Sequence, residues 1–387
     1  MSRPANFIWA TNLKFSEVHL FVKTINKYIY KELIAPFLFG VAAFTGIFIG
    51  TDLIFELTEF YTEWGVDVFT LIRLFFLMLP EIIVLTFPMA SLLGTIMAYN
   101  RLSGDSEITA MRAGGVSIIS LVLPALIMGL ITSGVTIGIS EFLVPNANYQ
   151  SEQIMYQARH GEQRPETQYD LFLTPMDSST RRPDYMLYAH SFNGDNGVME
   201  DVVVQSFEDG SPDSVLQAER AEWLNDGWHF YNGTVYFLDR ENRQPALEFS
   251  TYRSREEIHS PTQAGKLGKD IDEMNIRELN EHIALKEEQG RTAYEERVEM
   301  HHRFSIPLAS FIFALLAAPL GIKPQRSAGS ATGFGISIIV IFIYYVLMTV
   351  GDALGSQGSI QPWLGAWLQN IVIFIVGAGM LVRTAKQ

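Results

Sequence analysis

The run "LIAPFLFGVAAFTGIFIGTDLIF", Leu33 to Phe55, contains a single charged residue, Asp52, close to its end. A helix needs roughly 20 apolar residues to cross the hydrocarbon core of a bilayer, and this run meets that length. Five further stretches read the same way: Phe69–Met97, Val116–Phe142, Ile306–Ile322, Thr332–Val350 and Trp363–Val382. The fourth of the six carries Pro307 and Pro319 and has the least defined limits. Residues 1–32 are polar and mixed, and the first apolar run is too long for a signal-peptide core, so no cleavable signal is expected.

The whole chain, 387 residues, is 48% hydrophobic, with a mean hydropathy of +0.15. Such a mean combines spanning segments with a polar region. There is no cysteine, which excludes a disulfide framework, a thiol nucleophile and cysteine metal sites. A formal net charge of −14 argues against a nucleic-acid partner, whose phosphates call for a basic surface.

Basic residues fall on alternate connections. Lys14, Lys23, Lys27 and Lys31 precede the first span, Arg101 and Arg112 join the second to the third, Lys323 and Arg326 join the fourth to the fifth, and Arg383 and Lys386 end the chain. The opposite short loops, Glu56–Asp67 and Gly351–Pro362, hold no Lys or Arg. The positive-inside rule then places both termini in the cytoplasm and the large insert between spans three and four outside.

The domain boundaries follow: 1–32 cytoplasmic, 33–144 with spans one to three, 145–273 an external β domain, 274–303 a helical connection and 304–387 with spans four to six. From Pro145 to about Ser260 turn signals recur, at Asn193-Gly194, Asn196-Gly197, Asp209-Gly210, Asp226-Gly227 and Asn232-Gly233. Between them stand short aromatic and β-branched runs such as "DYMLYAHSF", "DVVVQSF", "WHFYNGTVYFL" and "ALEFSTY". That texture predicts an antiparallel sandwich or jelly roll. After it, residues 274–304 return to helix, with Gly290 as a break.

Catalytic signatures are missing. There is no P-loop pattern, no H-E-x-x-H and no G-x-S-x-G, so nucleotide hydrolysis on this chain is not expected. His301 and His302 stand beside Glu299, but adjacent helical positions point about 100° apart and rarely share one ion; no metal site is assigned. Ionisable residues at membrane depth are more informative. Asp52, Glu56 and Glu59 lie at the outer end of span one and Arg73 at that of span two, either solvated, paired as Asp52–Arg73, or lining a polar cavity. Pro80 and Pro88, with small residues throughout spans three to five, predict kinked, closely approaching helices.

One connection is richer than a turn needs. "SGDSEITAMRAGG", Ser103 to Gly115, predicts a short helix started by Asp105 or Ser106 as cap and stopped at Gly114-Gly115. Acidic Glu107, apolar Ile108 and Met111 and basic Arg112 would be displayed within two turns. An apolar ridge between opposite charges suits a groove on a cytoplasmic partner; an amphipathic turn resting on headgroups is the plainer reading.

Four stretches together carry a resemblance: "LSGDSEITAMRAGGVS" (102–117), "VEMHHRFSIPLASFIFALLAAPLGI" (298–322), "RSAGSATGFGISIIVIFIYYVLM" (326–348) and "LGAWLQNIVIFIVG" (364–377). They resemble the lipopolysaccharide-export permeases of the LptF/LptG (YjgP/YjgQ) family, over essentially the whole chain and in order. The resemblance implies an α-helical inner-membrane protein of diderm bacteria, with six transmembrane helices (3+3) and an inserted all-β periplasmic jelly-roll-like domain. It implies two permeases, paralogues or copies, paired over a dimeric LptB-type ATPase. The permeases extract lipopolysaccharide and pass it to LptC- and LptA-like periplasmic proteins for outer-membrane biogenesis. ATP and Mg would sit on the ATPase, and no cofactor on this chain. The helix over 103–115 becomes the coupling helix, with Glu107 its key contact and Ser106, Ile108, Met111 and Arg112 around it.

The acidity of span one departs from family members that place basic residues there to meet substrate phosphates. Asp52, Glu56, Arg73 and Arg303 are therefore the candidate substrate contacts, with Arg73 or a bridging divalent cation meeting the phosphates. Two other classes stay open. An ATPase-driven mechanotransmission protein would need no cavity. A membrane-anchored glycolipid-modifying enzyme would need a catalytic cluster among residues such as His190, Asp226 and His229.

Overall fold

The computed structural model describes residues 15–160, 167–174, 183–193, 197–208, 211–224, 227–238, 247–253, 258, 270–288, 291–322 and 330–386. Lys14, Lys323, Arg326, Asp226 and the Gly290 break lie outside the described residues, as do parts of every Asx-Gly turn signal except Asn232-Gly233.

Six helices among the described residues are long and apolar enough to cross a membrane. The first is α1 (Phe15–Phe48), continued through a π-turn (Ile49–Leu53) into α2 (Ile54–Thr62). Next come α3 (Val68–Gly104), the short α4 (Glu107–Ala113) and α5 (Ile118–Phe142). The last three spans are α8 (Tyr294–Ile322), α9 (Ser330–Ser356) and α10 (Pro362–Ala385). Helix α3 has 37 residues; at 1.5 Å per residue it is about 55 Å long, longer than the ~30 Å hydrocarbon core, so it projects beyond it.

Span four is the hub. In its most apolar stretch 78% of the residues are buried, against at most 44% in any other span. Small residues on its neighbours let backbones approach it closely. A Cβ at Gly129 on α5 would stand 2.9 Å from Phe311 Cα, and one at Gly377 on α10 would stand 3.1 Å from Leu316 Cα. The helix starts at Tyr294, joining the end of the expected helical connection and the span expected from Ile306 into one continuous helix. Its polar first turns fold as helix because partners take their charge: Glu296 pairs with Lys286, and Arg297 binds Glu287 through two nitrogens, at 2.7 and 2.9 Å. Both partners lie on α7 (Ile276–Glu288). The first turn of α7 is tied to span three, because the Ile276 amide donates to both Glu141 carboxylate oxygens at 3.1 and 3.2 Å.

Residues 145–160, expected in the β domain, instead form helix α6 (Val144–His160) leading away from span three. The strands begin later: β1 (Thr167–Leu173), β2 (Tyr185–Asn193), β3 (Val198–Glu208), β4 (Ser211–Leu224), β5 (Gly227–Phe237) and β6 (Leu247–Arg253). They form one antiparallel sheet in meander order, β1 to β6, with each strand paired to its sequence neighbours. The pleat sends Leu187, Ala189, Val202, Val204, Leu216, Ala218 and Val235 to one face, and Trp228 and Phe230, beyond the irregular Asn232, join the same buried core. Asn232-Gly233 is not a turn, since β5 runs straight through it. Asn232 adopts φ 50°, and a Cβ on Gly233 would stand 2.3 Å from the Gln217 carbonyl oxygen on β4. The glycine serves close strand approach rather than chain reversal.

Candidate functional site

Helix α4 stands where four spans converge. Ile108, 3% exposed, belongs to a buried apolar cluster that also holds Ile29 and Leu33 of span one, Leu102 of span two, Leu121 of span three and Ile322 of span four. This corrects the expectation that Ile108 offers itself to a partner: its side chain is the key that fixes α4 to the bundle. Met111 packs on the rim of the same cluster. The face left open comprises Ser106, Thr109, Ala110, Arg112 and Ala113, with Glu107 half-exposed beside it. Thr109, Ala110 and Ala113 were not singled out from the sequence. Their signal is their small size, which gives an incoming surface close access to the helix backbone.

The ends of α4 are built differently from each other. Ser106 has φ 60° and its side chain makes no capping hydrogen bond, which corrects the expected cap. A capping side chain needs an extended backbone at that position, and here the chain turns through the left-handed region instead. At the other end Gly115, φ 87°, donates to the Arg112 carbonyl at 2.9 Å, and Val116 donates to the Met111 carbonyl at 3.1 Å. These two bonds make a Schellman stop, as Gly114-Gly115 implied. Glu107 itself accepts a hydrogen bond from the Tyr28 hydroxyl at 3.1 Å.

At the opposite end of the bundle the ionisable residues separate. Asp52, in the π-turn, is exposed and accepts from the Thr51 hydroxyl at 3.2 Å. Arg73 is exposed and donates to Gln150 of α6 at 3.3 Å. No Asp52–Arg73 pair forms among the described residues, because α6 draws the arginine to itself. Glu56 is half-buried, on a helix whose Phe60 ring lies 5.2 Å from the Arg159 guanidinium of α6. Arg159 was not picked out in the sequence, because nothing local marks residues 144–160 as a helix whose end reaches Phe60.

Arg303 is not open to a bulky ligand. Only 6% exposed, it lies 3.3 Å from Glu299 and donates to the Ile271 carbonyl at 3.3 Å. It lines a cavity of about 170 Å³ shared with Glu81, Asn148 and Asp272. A larger cavity of about 460 Å³ adjoins it, walled by Glu152, Asp270, Glu273 and Glu295 among others. Between α2 and the start of α3 lies an apolar groove of about 520 Å³, lined by Ile54, Leu57, Tyr61, Leu71, Phe75 and Phe76.

His302 is spent on structure. Its Nδ1 meets Ser305 Oγ at 3.1 Å and its Nε2 meets Asp352 Oδ1 on span five at 2.6 Å. His301, on the next position, joins neither contact. In the sheet, His190 and His229 sit on β2 and β5 with two strands between them, so the structure does not bring them together.

Comparison with known proteins agrees with this arrangement. Residues 27–383 match the family described as "Lipopolysaccharide export system permease LptF/LptG". The chain is 22% identical to the lipopolysaccharide export system permease protein LptG of Escherichia coli K12, over 84% of this chain and 87% of that protein. It is 21% identical to LptF of the same strain, and to LptF of Shigella flexneri, each over 76% of this chain and 77% of the relative. With six membrane-capable helices, an inserted sheet and a match over nearly the whole length, the chain belongs to the LptF/LptG family of lipopolysaccharide export permeases.

Proposed function

We propose that this chain is a permease subunit of an ABC transporter that extracts lipopolysaccharide from the inner membrane and is powered by a separate LptB-type ATPase dimer. The observation that carries the reading is α4, keyed into four spans by Ile108 while its small polar face stays open. A groove on the ATPase receives Glu107, Ser106, Thr109, Ala110 and Arg112, with Met111 at the edge. Both termini lie in the cytoplasm with α4, and the sheet lies in the periplasm, as the Lys and Arg distribution implies. A second permease, a paralogue or another copy, completes the cavity.

Among the described residues the apolar face of the sheet is covered only by the strands themselves and Ile258. A flat sheet would leave that face wet, so self-covering supports a rolled, jelly-roll-like form. The β1 and β6 edges then offer strand addition to LptC- and LptA-like proteins. For the substrate, Arg73 takes a lipid A phosphate, and Asp52 and Glu56 hold a divalent cation that bridges to another; Arg303, already paired, supports the cavity wall.

The test is co-purification with the LptB-type ATPase, reading ATP turnover and bound glycolipid in one sample. Wild type is expected to assemble and carry lipopolysaccharide; Glu107→Ala loses assembly or stimulated turnover, and Arg73→Ala loses bound glycolipid alone. Assembly and turnover without any glycolipid would overturn the transport reading in favour of mechanotransmission.

A further inference from the structure

Helix α4 is entered and left through left-handed residues, Ser106 at φ 60° and Gly115 at φ 87°. A backbone broken in this way at both ends does not pass a push to α3 or α5 as a continuous rod would. Displacement of α4 must travel largely through its side chains. Span one offers the handle. The Tyr28 hydroxyl donates to Glu107 Oε1 at 3.1 Å. One turn along α1, Glu32 binds Arg101 at 2.6 Å, and Arg101 also lies 4.0 Å from Asp105, just before α4. Residues four apart share a helix face, so on one face of span one Tyr28 holds Glu107 of α4 while Glu32 holds Arg101 at the end of α3. Beside it, Ile29 and Leu33, also four apart, belong to the same buried apolar cluster as Ile108.

We infer that Tyr28 is a positioning residue for ATPase coupling: its hydroxyl orients the Glu107 carboxylate and makes the base of span one follow α4, while the Glu32–Arg101 pair keeps the end of α3 beside it. The inference rests on the coupling role proposed for Glu107 and adds the route by which the stroke leaves the helix. Span one continues outward through the π-turn to α2, one wall of the apolar groove. A push on α4 thereby has a route to that wall along span one.

The experiment uses the whole complex in liposomes, carrying this chain, its partner permease and the LptB-type ATPase. ATP turnover and glycolipid release are measured for Tyr28→Phe, Glu107→Gln and the double variant. Tyr28→Phe is expected to assemble but release about threefold to tenfold less glycolipid per ATP, the net scale of losing one solvent-exposed hydrogen bond. On the Glu107→Gln background it should add nothing, because the hydroxyl acts through that carboxylate. Additive losses, or wild-type release by Tyr28→Phe beside an impaired Glu107→Gln, would overturn the inference alone. Wild-type behaviour of Glu107→Gln would bring down the coupling reading and the inference with it.

Discussion

At the scale of residues, two helix starts show how much a single φ angle decides. Asp67 sits in extended backbone and accepts from the amides of Phe69 and Thr70 at 3.0 and 3.1 Å and from the Thr70 hydroxyl at 2.7 Å. Ser106, with a similar side chain, turns left-handed and caps nothing. The Thr70 hydroxyl, then the Thr70 and Phe69 amides, hold the Asp67 carboxyl below the usual carboxylate range. A depressed folded value means that the cap stabilises α3 fully above the unfolded carboxylate pKa of about 3.9. The contribution is lost as pH falls through the lower folded value. The protection of the Phe69 and Thr70 amides, measured against their intrinsic exchange rate at each pH, is therefore expected to fall under acid in wild type. Asp67→Asn should remove that pH dependence; an unchanged profile in the variant would refute the assignment. Sequence showed that a polar residue stood before each helix. It did not show which backbone region each occupied, because that depends on how the preceding helix ends.

At the scale of elements, spans were legible because an apolar run of sufficient length has few alternatives to helix. The failures have a common cause. Helix α6 and the burial of Ile108 both depend on partners distant in sequence. The α8 residues Glu296 and Arg303 look like surface until α7, Glu299 and the Ile271 carbonyl are in place. The strand through Asn232-Gly233 was misread because local turn chemistry was outweighed by the close approach of β4. Packing around span four gives a direct test. Gly129→Val places a side chain 2.9 Å from both Phe311 Cα and the Ser310 carbonyl oxygen, and neither backbone atom can swing aside. Overpacking of this kind costs about 1–3 kcal/mol. Thermal unfolding in detergent should fall for Gly129→Val and hold for Gly134→Val, whose added Cβ meets nothing within 4 Å. Equal behaviour of the two variants would contradict the hub.

At the scale of the whole molecule there are separate apolar cores: one drawn from the strands and Ile258, the others from helices. Trp228, 1% exposed, packs edge-on against Phe192 and Trp223 at 6.2 and 5.5 Å between ring centres. Trp228→Ala is expected to cost the sheet about 3–5 kcal/mol while α8 keeps its hydrogen-exchange protection. Simultaneous loss in both regions would show one cooperative unit instead. The position of the hub in the chain has a further consequence, for biosynthesis. Spans one to three leave the ribosome first, yet the helix against which α3 and α5 pack is encoded after the entire strand insert. Until α8 arrives, Gly129 and its neighbours face lipid with no partner, and the first half of the bundle is a waiting intermediate. Completion of the bundle is thus timed by synthesis of the insert, and a nascent chain stalled within the strands is left with that seam open to quality control.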